Sequence, residues 1–170
     1  MKFIASVGLF LWTIVSMGQV EVQDCGVIVN NDKLTGKTFV STEVVKEKDL
    51  DIYFVGGNNR GTYHQMHFSL KNEAESCIKN GNLIYVLFED ESRISRGNVL
   101  SYNCQGFSSF IVNGKSVRED LKNKRIVGIQ ITTALGSYRV DVSKENAQKL
   151  MEQYQCLEKR EYLSLVKNRY

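Results

Sequence analysis

Two sets of residues in this chain have the types and spacing to do chemistry: the histidines of His64-Gln65-Met66-His67, and the cysteines Cys25, Cys77, Cys104 and Cys156. The histidines are the only two among 170 residues. A neutral imidazole can ligate a metal or act as an acid or base near neutral pH. On a helix, positions i and i+3 share a face and could grip one ion, whereas on a strand an odd separation sends them to opposite faces. Thr62 to Leu70 alternates, with His64, Met66, Phe68 and Leu70 against Tyr63, Gln65, His67 and Ser69. A strand is therefore expected, with one histidine in the sheet's core and the other on its surface. The glutamate that an HExxH zinc site needs between its histidines is absent. Metal-assisted or acid–base chemistry at His64 or His67 is the alternative.

An even cysteine count in an exported chain reads as two disulfides. There is no CxxC pair, which argues against a thioredoxin-like redox site and a CxxC-based zinc site. Four cysteines allow three pairings. The expected one is Cys25–Cys77 with Cys104–Cys156, because each span is 52 residues and joins a strand-like start to a helix-like end. A loop of that length stabilises by about 4 kcal/mol in the chain-entropy picture. Val22-Gln23-Asp24 before Cys25 lacks the small apolar residues that a lipid-attachment cysteine requires.

Other groupings resemble chemical sites and fail on physical grounds. Asn31 to Thr38 approximates a phosphate-binding P-loop, but Asn31 stands where the first glycine must be. Thr38 to Thr42 then favours a strand where that loop needs a helix. Asn113-Gly114-Lys115-Ser116 fails likewise and reads as an Asn/Gly turn. Glu89-Asp90-Glu91 carries carboxylates but not the spaced ligands of a calcium loop, so a solvated hairpin turn is expected. Ser108 and Ser109 lack the GxSxG nucleophile elbow. No catalytic residue and no cofactor is assigned.

The oxidising setting is inferred from the first eighteen residues. Lys2 precedes an apolar run from Phe3 to Met17, and Ser16-Met17-Gly18 offers small residues at the −3 and −1 positions. The run is shorter than the ~20 residues that span a bilayer. The reading is a signal peptide over 1–18, then one disulfide-containing domain over 19–170 with no transmembrane anchor and a charged tail, 158–170, that frays. Net charge is +3, or +2 without Lys2, too mild to point to nucleic acid. The chain has no proline and no Asn-x-Ser/Thr sequon.

The elements that must position these residues are mostly strands. Asp51–Val55 and Thr62–Leu70 read as a hairpin across the Gly56–Gly61 turn. Leu83–Phe88, apolar on both faces, reads as a central buried strand. Leu100, Tyr102 and Cys104 alternate on its return. Val127, Ile129 and Ile131 share a face, Ala134–Ser137 turns the chain, and Tyr138, Val140 and Val142 point in. Ser143 is a good N-cap for a helix with the stripe Ala147, Leu150, Met151, Tyr154 and Leu157. A weaker helix is expected over Leu70–Lys79. The lysines, arginines and glutamates of the C-terminal segment read as a solvated helix face. The fold expected is α+β: an antiparallel sheet of about six to eight strands, one face covered by the C-terminal helix. A closed β-barrel with an appended helix is the alternative.

Asp32 to Thr38, Ile78-Lys79-Asn80-Gly81 before Leu83–Phe88, and the strand–turn–strand–helix ending in Tyr154-Gln155-Cys156-Leu157 together resemble small exported bacterial proteins of unassigned activity. That resemblance implies a bacterial envelope or extracellular setting and a compact β-rich domain. Glu89-Asp90-Glu91 departs from it, standing where that group would carry an Asp-Gly turn. The function expected is a non-catalytic exported domain that binds a protein or small-molecule ligand or serves structurally. The alternatives are an envelope hydrolase or metal-assisted enzyme using His64 or His67, and a barrel-type carrier of a small apolar ligand.

Overall fold

The computed structural model describes residues 26–31, 38–58, 62–71 and 77–159. The expected signal peptide over 1–18, Cys25, the P-loop-like residues 32–37 and the tail from residue 160 lie outside them. Among the described residues ten strands form two antiparallel sheets. The six-stranded sheet holds β1 (Ile28–Asn31), β2 (Thr38–Ser41), β3 (Val45–Lys46), β4 (Leu50–Asn58), β5 (Thr62–Leu70) and β8 (Phe107–Val112). Its order is β1-β2-β4-β5-β8, with β3 also on β4. The four-stranded sheet runs β10 (Gly136–Asp141), β9 (Ile126–Thr133), β6 (Leu83–Phe88) and β7 (Arg93–Gly97). Both sheets are open, with no closed barrel among the described residues.

Helix α2 (Lys144–Lys159) packs on the sheets as expected. Ser143 Oγ accepts the Asn146 N–H at 3.4 Å, capping its first turn. Ala147, Leu150, Tyr154 and Leu157 are buried in one core with the inner faces of both sheets. The helix reaches past Leu157, and Glu158 docks on a neighbouring helix through Lys122 at 3.0 Å. That neighbour, α1 (Lys115–Asn123), was not expected. Its start is the Asn113-Gly114 turn, and Gly114 (φ 84°) takes a left-handed angle that glycine adopts at little cost. Val117 and Leu121, one turn apart, are its buried residues.

Local register explains further departures. The hairpin strand β4 continues through Gly56 and Gly57, and glycine is needed at 57 because a side chain there would collide with Tyr63. Leu83–Phe88 is central but buries only one face: Leu83 is 43% exposed, while Ile84, Val86 and Phe88 are buried. Its return strand is Arg93–Gly97, not the Leu100–Cys104 stretch. Val127 leaves the face shared by Ile129 and Ile131, because the β6–β9 register shifts from Leu87↔Gly128 to Phe88↔Ile126 and bulges it outward. The expected Leu70–Lys79 helix fails at both ends: Leu70 is in β5 and Ile78 forms a β-bridge with Asn103. Residues 72–76 lie outside the description.

That bridge overturns the expected cysteine pairing. Cys77 joins Cys104, not Cys25, and Cys104 therefore does not join Cys156. Ile78 and Asn103 exchange both backbone hydrogen bonds, at 2.8 and 2.9 Å. Residues 77 and 104 consequently face each other at the closer, non-hydrogen-bonded position of an antiparallel pair. The bond ties the β5–β6 and β7–β8 connections, both of which cross between the sheets. Cys156, on α2, is also disulfide-bonded. Beside the crossings lies buried Asn98: its amide donates to the Lys79 and Leu100 carbonyls, and its oxygen accepts the Ser109 N–H at 3.0 Å.

Candidate functional site

Strand β5 splits the two histidines as the alternation requires. His64 turns inward and is 3% exposed, opposite Gly56 and Val112 in the register. A Cβ at Gly56 would press on Val40 at 3.2 Å and would stand in ordinary contact with Leu157 and His64, at 3.4 and 3.5 Å. His67 turns to the outer face, opposite Tyr53 and Ser109. Its Nε2 meets Gln65 Oε1 at 3.0 Å, and its ring stacks on Tyr53. Ser109 Oγ is buried without a hydrogen bond, so the structure contains no Ser109–His67 nucleophile–base contact. Among the described residues no three His, Cys, Asp or Glu groups cluster as a metal site.

The inward histidine begins a polar chain that leaves the core. His64 Nδ1 lies 3.4 Å from the Tyr154 hydroxyl, which lies 3.3 Å from Glu158 Oε1. A phenol has one proton, and the carboxylate can only accept it. Tyr154 therefore donates to Glu158, and His64 donates to Tyr154 from a protonated Nδ1. This leaves His64 Nε2 as a buried acceptor without a partner. Burial, aided by the nearby Arg118 charge, holds the His64 pKa below its ordinary value. Burial and the Glu158 charge push the Tyr154 phenol well above the usual range. The chain is thus neutral until it reaches Glu158.

Glu158 stands at a groove between the C-terminal end of α2 and one face of α1. A hollow of about 390 Å³ is lined by Gly114, Lys115, Arg118, Glu119, Lys122 and Glu158. A second hollow of about 330 Å³ lies against Lys122, Asn123, Gln155 and Glu158. The Lys122–Glu158 pair lines both. Lys122 Nζ also binds Glu119 at 2.8 Å, so two carboxylates answer its charge and raise its pKa. Arg118, half-buried, makes no side-chain hydrogen bond or ion pair among the described residues. Gly114 supplies no side-chain cap to α1.

Of the groove residues, only Gly114 and Lys115 stand out in the sequence, within the rejected P-loop lookalike Asn113–Ser116. Tyr154 reads as core, and Glu158 as part of a charged, fraying tail. The one signal for α1 was the Val117/Leu121 pair after a glycine. The acidic turn at Glu89-Asp90-Glu91 proves to be ion-paired: Asp90 binds Lys124 at 2.7 Å, and Arg125 Nε donates to Glu89 at 2.9 Å. The Lys124 and Ser92 hydrogen bonds hold the Asp90 carboxyl down to about 2. No protein-family model, curated protein or solved structure matches this chain. No helix among the described residues is long and apolar enough to cross a membrane.

Proposed function

We propose that this chain is an exported, non-catalytic domain of the bacterial cell envelope or extracellular space, and that it binds a ligand in the groove between α1 and α2. The observation that carries the reading is Arg118, unpaired among the described residues, lining a hollow of about 390 Å³, a size usual for small-molecule sites. A guanidinium held beside a cavity with no protein acceptor leaves its hydrogen-bonding capacity to an incoming molecule. Export is supported by the Cys77–Cys104 disulfide, whose Cys104 end is exposed. Such a bond persists in oxidising compartments and is reduced in most cytosols.

The hydrolase and metal-enzyme readings have less to stand on. His64 is sealed in the core, and His67 is occupied by Gln65 and Tyr53 on the other face. The barrel-type carrier loses its barrel, and the interior is filled by Phe54, Met66, Phe68 and Phe110. Two measurements test the proposal. The intact mass of the protein from its native host should correspond to a chain starting near Gln19 with no free thiol. A full-length chain with four titratable thiols in the cytosol would refute export. NMR screening with a mixture of small polar molecules should perturb amides of Lys115–Lys122 and Glu158 before others. Perturbation confined to another surface would refute the groove.

A further inference from the structure

We infer that the groove ligand is a small molecule carrying one oxyanion, a phosphate or carboxylate, seated on Arg118 and Lys115, with hydrogen-bond donors turned toward Glu119 and Glu158. This rests on the groove reading above and names its ligand chemistry. Five of the six lining residues carry a charge, so charged groups are what the hollow offers for recognition. The charges divide along α1. At one end Lys122 is matched by Glu119 and Glu158. At the other, Arg118 and Lys115 line the same hollow with no ion pair among the described residues.

A guanidinium fork fits the two oxygens of a phosphate or carboxylate side by side, and a neighbouring ammonium adds a point charge. The carboxylate end disfavours a second anionic group there. It favours hydroxyl or amino groups instead. Lys115 and Lys122 are seven residues apart, or about 10 Å of helix rise. That distance sets the ligand's reach: one anionic group and a short polar body.

The test is an NMR titration of the oxidised protein with inorganic phosphate, methyl phosphate, acetate and, as the neutral arm, glycerol. Saturable shifts at Lys115–Arg118 are expected with at least one anion, and not with glycerol. Arg118→Gln should weaken binding at least tenfold, Lys115→Ser less, and Arg118→Lys should restore part of the loss. Preference for methyl phosphate over acetate, or the reverse, identifies the oxyanion. Saturable glycerol binding in the groove with no anion response would overturn the anion inference and leave the groove reading intact. No saturable response to any probe, in a protein whose spectrum is that of the folded state, would overturn both. Anion shifts unchanged in Arg118→Gln would overturn the assignment to this end of the groove.

Discussion

His64 and His67 stand three residues apart on one strand, each beside a tyrosine, and the two pairs occupy different media. His64 meets Tyr154 edge-on at 87°, with ring centroids 5.8 Å apart, inside the core. His67 lies nearly flat on Tyr53, at 15° and 5.0 Å, on the outer face. Burial lowers both imidazoles and raises both phenols. The difference lies in what each tyrosine does next. Tyr154 passes its hydrogen bond on to Glu158 and so connects the core to the groove. The Tyr53 hydroxyl makes no hydrogen bond among the described residues, and the outer pair ends there. The same two side-chain types therefore form a link on one face and an isolated stacked pair on the other.

The largest expected effect is Tyr154→Ala against Tyr53→Ala. Removing a fully buried aromatic costs about 3–5 kcal/mol, and the half-buried outer ring should cost less than half as much. Urea unfolding of the two variants checks this, and equal losses would erase the distinction between the faces. Next is pH. Burial lowers the His67 pKa to about 4, below the ordinary imidazole value of 6.5. As pH falls, the unfolded chain takes up this proton first. The contribution is therefore intact above 6.5 and is lost as pH drops toward 4. Between pH 7.5 and 5 the loss is at most about 2 kcal/mol, less where solvent reaches the ring. His64 shifts in the same direction. His67→Gln should flatten the urea midpoint over that range, and an unchanged slope would show that His67 titrates normally.

A smaller effect is expected from Tyr154→Phe, which leaves the His64 Nδ1–H without its acceptor. That should cost about 1–2 kcal/mol, whereas Tyr53→Phe should be neutral within error. A loss from Tyr53→Phe as large as that from Tyr154→Phe would show that the outer hydroxyl is also engaged. The smallest effect is Lys122→Met, which frees Glu119 and Glu158 at a partly solvated pair. Stability should barely change, because exposed ion pairs contribute little. The amide shifts of Gly114–Asn123 should move nonetheless. Unmoved α1 shifts would show that the pair does not hold the groove's wall.

Elements with strong short-range signals were legible. The Thr62–Leu70 alternation placed the histidines on opposite faces, and Ser143 with its apolar stripe located α2. Helix α1 was not legible, because Asn113-Gly114 is as good a turn as it is a helix start. Only two apolar residues, Val117 and Leu121, mark its buried side. The cysteine pairing was misread for a related reason. Matching span lengths carry no information about which residues meet; the Ile78–Asn103 bridge does. The groove was invisible for the same cause. Arg118, Lys122 and Glu158 look like ordinary solvated charges until two helices are set side by side.

The sequence by itself determined the strand periodicities, the C-terminal helix and its cap, and the separation of the two histidines, because each depends on neighbours within a few residues along the chain. Tertiary structure alone decided that the strands form two sheets, that Cys77 meets Cys104, and that Tyr154 and Glu158 join a buried imidazole to a charged groove. Those contacts span 27 to 90 residues of chain. At such separations local preference says nothing about which partner a residue meets. The choice is made by packing one hydrophobic core from both sheets and α2.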